Sequence, residues 1–273
     1  MNPSVGDEPQ ELLALLDLAV ETARETGRML IDKRPATGPE VVAVKSSATD
    51  VVTQMDEAAE RLIRDRIGAA RPLDAFLGEE GGASEGSSGI RWVIDPIDGT
   101  VNYLYDLPDW AVSIAAERDG QTVAAVIEVP RRGWTFTAVR GGGAFRNGEP
   151  VRCGTGVPLE QALIATGFGY APRRRATQAE VLAGVLPHVR DIRRNGACAI
   201  DLCMVASGLV NGYYERGVQL WDIAAGRLIV TEAGGRIGGL RGEAAGPELT
   251  IAAAADLFGP LHDLLAPLDP LRD

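Results

Sequence analysis

The 273-residue chain has few of the side chains that bind zinc or form disulfides. It contains three cysteines and two histidines, and no two cysteines form a Cys-x-x-Cys pair. This scarcity argues against a tetrahedral zinc site and against a disulfide framework. We expect the three thiols (Cys153, Cys198 and Cys203) to be reduced and mostly buried, in a cytoplasmic protein.

Positive charge is also in deficit, with 27 Lys and Arg against 38 Asp and Glu and a formal net charge of −11. Sequence-independent binding to nucleic acid and docking on anionic lipid both depend on an excess of Lys and Arg, so we expect neither partner. No stretch reaches the ~18 apolar residues that a membrane helix needs, and we expect no signal peptide. The charge argues equally against an anionic substrate, unless a cation is added.

Hydrophobic periodicity predicts a mixed α+β and α/β fold in two halves. We expect an α+β half over 1–155 that carries most of the candidate ligands, and an α/β half over 156–273. A long amphipathic helix should end before Pro35, a capping pair at Thr53 should start a second helix, and Asn147-Gly148 predicts a hairpin. The predicted strands are 41–44, 111–117, 122–129, 134–139, 162–166, 190–194, 210–214 and 249–253; the later helices are 176–188, 197–208, 221–233 and 256–267; residues 83–89 are a predicted loop.

Three carboxylates follow two short apolar runs of the first half. Glu79 comes after residues 73–77, and Asp95 and Asp98 come after residues 90–94. The ends of strands are where α/β proteins bind ligands, and a cluster of unpaired carboxylates normally holds a cation. With oxygen donors and no His or Cys nearby, we predict Mg²⁺ rather than Zn²⁺. Any one of these aspartates could instead serve an ordinary strand-to-turn connection.

Three further positions each allow two interpretations. Gly99-Thr100 predicts a helix start whose free N–H groups bind an anion, although Thr100 could be an ordinary cap. Asp222 opens an Ala-rich helix, where an acid can simply complement the helix dipole. Asp56 could be one half of the Thr53 capping box and nothing more.

Three motifs occur in order along the chain. They are Gly78-Glu79-Glu80, then Trp92-Val93-Ile94-Asp95-Pro96-Ile97-Asp98-Gly99-Thr100, then Trp221-Asp222-Ile223-Ala224-Ala225-Gly226 with Thr231-Glu232-Ala233-Gly234-Gly235 after it. With these motifs the chain resembles the inositol monophosphatase family of Mg²⁺-dependent, lithium-sensitive phosphatases over roughly residues 12–268. Segments 165–170 and 191–201 look most like its actinobacterial inositol-1-monophosphatase branch. The resemblance implies a layered αβαβα sandwich, an active site between the two halves, and a homodimer.

The resemblance also implies roles for matching residues. The implied ligands of two to three Mg²⁺ ions are Glu79, Asp95, the Ile97 carbonyl, Asp98 and Asp222. Glu79 and Thr100 would position the attacking water, with Asp56 supporting the Thr100 hydroxyl. Lys45 falls near the most weakly held ion.

At the substrate end, the backbone amides of Gly99 and Thr100 would hold the phosphate. Asp98 and Glu215 would contact hydroxyls of the cyclitol, with Cys198 beside them. From sequence alone, Glu215 would be a solvated surface acid and Cys198 a buried helix thiol.

Two other positions depart from a simple assignment. Gln219 stands where some relatives have His, which weakens any general-acid role there. We interpret Arg173-Arg174-Arg175 as a solvated loop, with attraction of an anionic substrate or a partner as the alternative.

The implied reaction is direct in-line hydrolysis of inositol 1-phosphate by a metal-activated water, with no covalent intermediate. Relatives with the same metal motif hydrolyse fructose 1,6-bisphosphate, histidinol phosphate or 3′-phosphoadenosine phosphates, so these substrates remain alternatives. A function of another class also remains, because some bacterial relatives act as binding partners in transcription complexes.

Overall fold

The structure, a computed structural model, describes residues 7–44 and 51–272. Its elements stack as helices, sheet, helices, sheet and helices, which confirms the predicted αβαβα sandwich. Within the described residues, no helix has both the length and the apolar content to cross a bilayer.

The first layer consists of two helices, and a small antiparallel ribbon lies between them in the chain. The first helix ends before Pro35, as predicted, and the second begins after Thr53. The capping box is present: Thr53 N donates to Asp56 Oδ2 at 2.8 Å and Met55 N donates to Thr53 Oγ1 at 3.2 Å. The elements are α1 (Asp7–Asp32), β1 (Val41–Val44), β2 (Val51–Thr53) and α2 (Gln54–Ala70).

The second layer is an eight-stranded sheet. Its members are β3 (Ala75–Gly78), β4 (Gly82–Ser84), β5 (Ile90–Asp98), β6 (Ala111–Arg118), β7 (Gln121–Val129), β8 (Trp134–Val139), β9 (Gly143–Arg146) and β10 (Glu149–Pro150), with the short helix α3 (Thr100–Leu104) after β5. The strand order is β10-β9-β8-β7-β6-β5-β3-β4, and only β3 and β5 pair in parallel. Asn147-Gly148 closes the β9–β10 hairpin with φ of 53° and 82°, which is type I′ geometry and confirms the predicted turn.

The remaining three layers come from the second half of the chain. They contain β11 (Leu163–Thr166), α4 (Pro172–Val185), β12 (Asp191–Arg193), α5 (Cys198–Ala206), β13 (Gly212–Glu215), α6 (Leu220–Glu232), β14 (Gly235–Gly238), β15 (Thr250–Ala254) and α7 (Phe258–Leu265). The five strands lie in the order β12-β11-β13-β15-β14. Helices α5 and α6 pack between the two sheets, while α7 covers the far face of the small sheet and contacts α4. The division at residue 155 stays a prediction.

Alternation along β5 distributes side chains between two cores. Trp92 and Ile94 join the core beneath α1 and α2, whereas Val93 joins the larger core around α5 and α6. Successive residues of a strand point to opposite faces, so one apolar strand buried on both sides connects both cores. The strand ends of the large sheet are thereby fixed relative to α5 and α6.

Four local expectations need correction. Strand β14 has no counterpart among the predicted strands, because Gly235–Gly238 has two glycines and a single strongly apolar side chain. Residues 83 and 84 belong to β4 rather than to a loop. Arg173, Arg174 and Arg175 lie in the first turn of α4, since Pro172 is favoured at the first helical position. Finally, Asp95 and Asp98 lie within the last residues of β5 instead of after it.

We predict that the α5–α6 contact tolerates no added methyl group. A Cβ at Gly226 in α6 would lie 2.8 Å from Leu202 Cβ in α5, so Gly226→Ala should lower the free energy of unfolding by about 1–3 kcal/mol. Gly259→Ala in α7 is the matched control, because its Cβ would meet open space; it should raise that free energy by up to about 1 kcal/mol. Urea unfolding measures both, and equal stability of the two variants would contradict the packing.

Candidate active site

The end of β5 brings two of the predicted ligands together. The pairing of β5 with β6 shifts register between Asp95 and Asp98, as in a β-bulge, which re-aims side chains at the end of a strand. Asp95 Oδ1 accepts a hydrogen bond from Ile97 N at 3.0 Å, so the Asp-Pro-Ile-Asp segment folds around the first carboxylate. Asp95 and Asp98 are 1% and 8% exposed. Burying two neighbouring carboxylates costs free energy unless hydrogen bonds or a positive charge offset that cost.

Backbone amides from the middle helical layer supply part of that compensation. At the start of α5, Cys198 N donates to Asp98 Oδ1 at 3.2 Å and Ala199 N donates to Asp98 Oδ2 at 2.6 Å. At the start of α6, Gln219 N donates to Asp222 Oδ2 at 2.6 Å, in a capping box. Asp222 therefore caps its helix and at the same time faces the two aspartates of β5, while its role as a ligand stays a prediction.

Asp95, Asp98 and Asp222 form a set suited to a divalent cation. One carboxylate oxygen from each lies within 4.8 Å of the others, and the set contains no His or Cys. Converging hard oxygen donors are the ligands that Mg²⁺ and Ca²⁺ prefer, so the donor chemistry fits the predicted Mg²⁺. The two helix starts orient two of the three ligands, as supporting hydrogen bonds do in metal sites.

Crowding raises the pKa of each carboxyl in this set. Burial, followed by the charge of Glu79, raises the pKa of Asp222 to about 7. Burial raises the pKa of Asp95 well above its usual range, and Glu79 adds to that rise; for Asp98, burial is followed by the charge of Asp222. Near neutral pH, a cation entering this set would displace protons.

Glu79 stands beside the three aspartates rather than among them. It follows β3, and Glu79 N donates to Ile94 O at 3.2 Å, which ties it to β5 next to Asp95. Its charge raises the pKa of both Asp95 and Asp222, so the carboxylate lies close to the set. Glu79 also lines the cavity described below, and its role as a ligand stays a prediction.

Asp56 joins the start of α2 to Thr100. Its Oδ2 accepts from Thr53, completing the capping box, while its Oδ1 accepts from Thr100 Oγ1 at 3.0 Å. The cap and the support of Thr100 are therefore two simultaneous roles of one carboxylate. Ile97 O lies 3.0 Å from the same hydroxyl, so Thr100 has two competing acceptors. Burial raises the pKa of Asp56 to about 6 despite the hydrogen bonds that lower it.

Gly99 allows the chain to turn from β5 into α3. Its φ is 91°, and a Cβ would lie 2.9 Å from Asp109 O, so both conformation and space favour glycine there. Gly99, the residue that precedes α3, has no side chain to cap that helix, and Gly99 and Thr100 both line the cavity. The predicted helix start is thus confirmed, while the bound phosphate stays a prediction.

A cavity of about 590 Å³ connects these residues to the second half of the chain. Glu215, Cys198 and Gln219 line it, together with Arg174 and Arg194. It therefore lies between the large sheet, the starts of α5 and α6, and the loop that precedes α4.

Glu215 is not the solvated surface acid that its local sequence suggests. Its carboxylate accepts from Tyr213 Oη at 2.9 Å and occupies the space where a Cβ of Gly167 would be, and burial raises its pKa to about 6. Burial also raises the pKa of the Cys198 thiol well above its usual range, which disfavours a thiolate nucleophile. The other two thiols are free and buried, as expected.

Arg174 corrects the interpretation of the arginine triplet as a loop. A Cβ at Gly217, where φ is 103°, would lie 2.8 Å from Arg174 Nη1, so the guanidinium packs directly against that backbone. Its Nε is buried without a hydrogen-bond partner among the described residues. Arg174 thus places positive charge at the cavity wall. Pro172, at the first position of α4, is the sequence signal that predicts a helix rather than a loop for this arginine.

Lys45 lies outside the described residues. Asp201 is not among the predicted site residues; it is 1% exposed and accepts from Asn195 Nδ2 at 2.5 Å, supporting the loop before α5. Its place in the first turn of a helix could have suggested it.

Comparison with known proteins gives consistent matches over nearly the whole chain. The family model described as "Inositol monophosphatase family" matches residues 11–267. Inositol-1-monophosphatase SuhB of Mycobacterium tuberculosis H37Rv is 49% identical over 246 residues, covering 86% of this chain and 83% of that protein. Nus factor SuhB of Escherichia coli K12 is 42% identical over 230 residues, covering 84% and 86%. The crystal structure of extragenic suppressor protein suhB from Bartonella henselae has a TM-score of 0.86 at 37% identity, covering 93% of this chain and 98% of that one.

We predict that Mg²⁺ stabilises the protein more at pH 8 than at pH 5.5. In the folded state the pKa of Asp222 is raised to about 7 and that of Glu215 to about 6. The contribution of these groups to folding stability is therefore fully present below their unfolded-state pKa, and it is lost as the pH rises through 6–7. A cation that neutralises the carboxylates should restore it.

Calorimetry with Mg²⁺ or chelator at both pH values measures the melting temperatures, with monovalent salt at equal ionic strength as the control. An equal rise in melting temperature on adding Mg²⁺ at the two pH values would contradict the prediction.

Proposed function

The chain belongs to the inositol monophosphatase family, a family of phosphatases, and from this we propose that it hydrolyses myo-inositol 1-phosphate to inositol and inorganic phosphate with Mg²⁺. The observation that carries the proposal is the set of Asp95, Asp98 and Asp222 within 4.8 Å of one another. This set lines the same cavity as Thr100, whose hydroxyl donates a hydrogen bond to Asp56. Cation ligands and a polar group able to orient water are what phosphate monoester hydrolysis requires.

Asp95, Asp98, Asp222, Glu79 and the Ile97 carbonyl would hold two to three Mg²⁺ ions. When bound, Mg²⁺ supplies positive charge that neutralises the phosphate and lowers the pKa of water. This explains how a chain with a net charge of −11 can admit an anion: the relevant field is local and is inverted by the cation.

Thr100 and Glu79 would orient the attacking water. When Thr100 donates to Asp56, the lone pairs of its oxygen remain to accept a proton of that water. The water oxygen forms the new bond to phosphorus as the bond to the inositol oxygen breaks, and a proton of the water neutralises the departing inositol oxygen. Above a pH of about 6, where Asp56 is ionised, it holds the hydroxyl most strongly.

The phosphate would lie against the start of α3, where the backbone amides of Gly99 and Thr100 would donate to it. Arg174 and Arg194 at the cavity wall add favourable potential for an anionic substrate. Asp98 and Glu215 would accept hydrogen bonds from the cyclitol hydroxyls, next to Cys198.

Two alternatives remain open. Fructose 1,6-bisphosphate, histidinol phosphate and 3′-phosphoadenosine phosphates would meet the same metal set, so selection among them depends on the groups that contact the rest of the substrate. A role as an interaction protein is supported by the relative named Nus factor SuhB, whereas the convergence of Asp95, Asp98 and Asp222 favours catalysis. We also expect a homodimer located in the cytoplasm and sensitive to lithium; light scattering tests the assembly.

We predict that Asp98→Asn abolishes Mg²⁺-dependent phosphate release, because it removes a ligand charge and one acceptor of the α5 amides. The measurement is phosphate release from inositol 1-phosphate with Mg²⁺, with Mg²⁺ and Li⁺, and without metal. Asp263→Asn, on the exposed face of α7, is the control for loss of one carboxylate charge.

A substrate panel with the alternative phosphates decides specificity. Wild-type turnover by Asp98→Asn would sink the mechanism. A clear preference for histidinol phosphate would contradict only the choice of substrate. A pull-down with this protein that retains RNA polymerase components, together with negligible turnover, would favour the interaction role.

A further inference from the structure

Helix α2 carries a buried acid that the roles described so far leave without a function. Glu60 is 3% exposed and lies one helical turn after Asp56, so the two carboxylates project from the same face of the helix. Arg64, a further turn along, donates from Nε to Glu60 Oε1 at 2.7 Å. Buried carboxylates are rare unless paired, so this pair at the centre of a helix face calls for a structural account.

The Glu60 carboxylate binds the backbone of the turn that carries Glu79. Glu80 N donates to Glu60 Oε2 at 2.8 Å, and Gly81 N donates to Glu60 Oε1 at 2.9 Å. Arg64 Nη2 donates to the carbonyl oxygen of Gly82 at 2.5 Å. The Glu60–Arg64 ion pair therefore hydrogen-bonds to the main chain of three consecutive residues immediately after Glu79, at two N–H groups and one carbonyl oxygen.

The turn is shaped for this approach. A Cβ at Gly78 would overlap the Glu60 carboxylate, and a Cβ at Gly81 would lie 3.0 Å from Arg64 Nε. Glycine on both sides of Glu79-Glu80 lets the helix side chains reach the backbone. On the other side, Glu79 N donates to Ile94 O, so the residue is held between β5 and α2.

Electrostatic repulsion explains why the turn that carries Glu79 needs these hydrogen bonds. The charge of Glu79 acts on Asp95 and Asp222, and like charges at close range repel. Residues 79–81 are only half-buried or exposed, so side-chain packing alone would not resist displacement of the turn. Charge-assisted hydrogen bonds from two amides to a buried, Arg-paired carboxylate do resist it.

We propose that Glu60 and Arg64 form a positioning clamp that holds Glu79 at the metal and water site. Because Asp56 on the same face fixes Thr100, α2 sets the separation of the two groups that orient the attacking water. Four residues of helix span about 6 Å, so this separation is established by a rigid element rather than by loops. The proposal rests on the proposed function only for the use that is made of Glu79.

The test compares two Glu–Arg pairs of the same helix. Glu60→Gln removes the charge of the clamp, while Glu57→Gln removes the charge of the exposed pair of Glu57 with Arg61, whose atoms lie 3.7 Å apart at the same four-residue spacing. Calorimetric titration of Mg²⁺ in the absence of substrate gives affinity without needing turnover. We expect Glu60→Gln to weaken Mg²⁺ binding by about 10–100-fold and to lower kcat with KM unchanged, and Glu57→Gln to match wild type.

A double-mutant cycle with Glu79→Gln separates positioning from general stability. If Glu60 acts through Glu79, Glu60→Gln should weaken Mg²⁺ binding no further in the Glu79→Gln background. Equal, additive losses in both backgrounds would overturn the proposal, as would wild-type Mg²⁺ affinity in Glu60→Gln.

If Glu60→Gln does not fold, Arg64→Lys provides the second variant, since it keeps the charge but loses the bridge to Gly82. It should show a smaller loss of Mg²⁺ affinity that also disappears in the Glu79→Gln background, and unchanged affinity would overturn the clamp. Clamp-dependent Mg²⁺ affinity in a wild-type protein that releases no phosphate would overturn only the proposed function.

Discussion

Repulsion among buried carboxylates is the constraint on which the site depends. Asp95, Asp98 and Asp222 converge within 4.8 Å, and burial with mutual charge raises the pKa of each. Backbone amides at the starts of α5 and α6 offset part of this cost without adding any net charge that would weaken cation binding. In the proposed mechanism, the remaining negative charge attracts a divalent cation, and that cation in turn attracts a phosphate.

The middle helical layer links this electrostatic arrangement to the fold. Helices α5 and α6 pack against both sheets, so the same contacts that bury the larger core also bring the two helix starts to the end of β5. On the opposite face of the large sheet, α2 directs Asp56 toward Thr100 and Glu60 toward the Glu79 turn. The helices that orient Asp98, Asp222 and Thr100 thus belong to two layers of the sandwich, which suits a site that must keep charges at fixed distances.

Local patterns predicted much of this architecture. The Thr53 capping box, the Asn147-Gly148 hairpin and the alternation of strands and helices after Pro158 all involve neighbouring residues, and all are present. Prediction failed where local propensity is weak or is outweighed: in glycine-rich β14, and in the arginine triplet that Pro172 starts as a helix. Glu215 looked solvated because its burial arises from Tyr213 and from Gly167, which is distant in sequence.

The sequence by itself determined the chemical inventory of the site: oxygen ligands without His or Cys, a glycine able to turn β5 into α3, and motifs shared with a family of phosphatases. Only the tertiary structure decided which groups meet. Asp98 and the amide of Cys198 are separated by 100 residues, and Glu60 and the amide of Glu80 by 20. Contacts at such separations depend on how whole layers pack, and the hydrophobic periodicity that specifies each element leaves the relative placement of those elements undetermined.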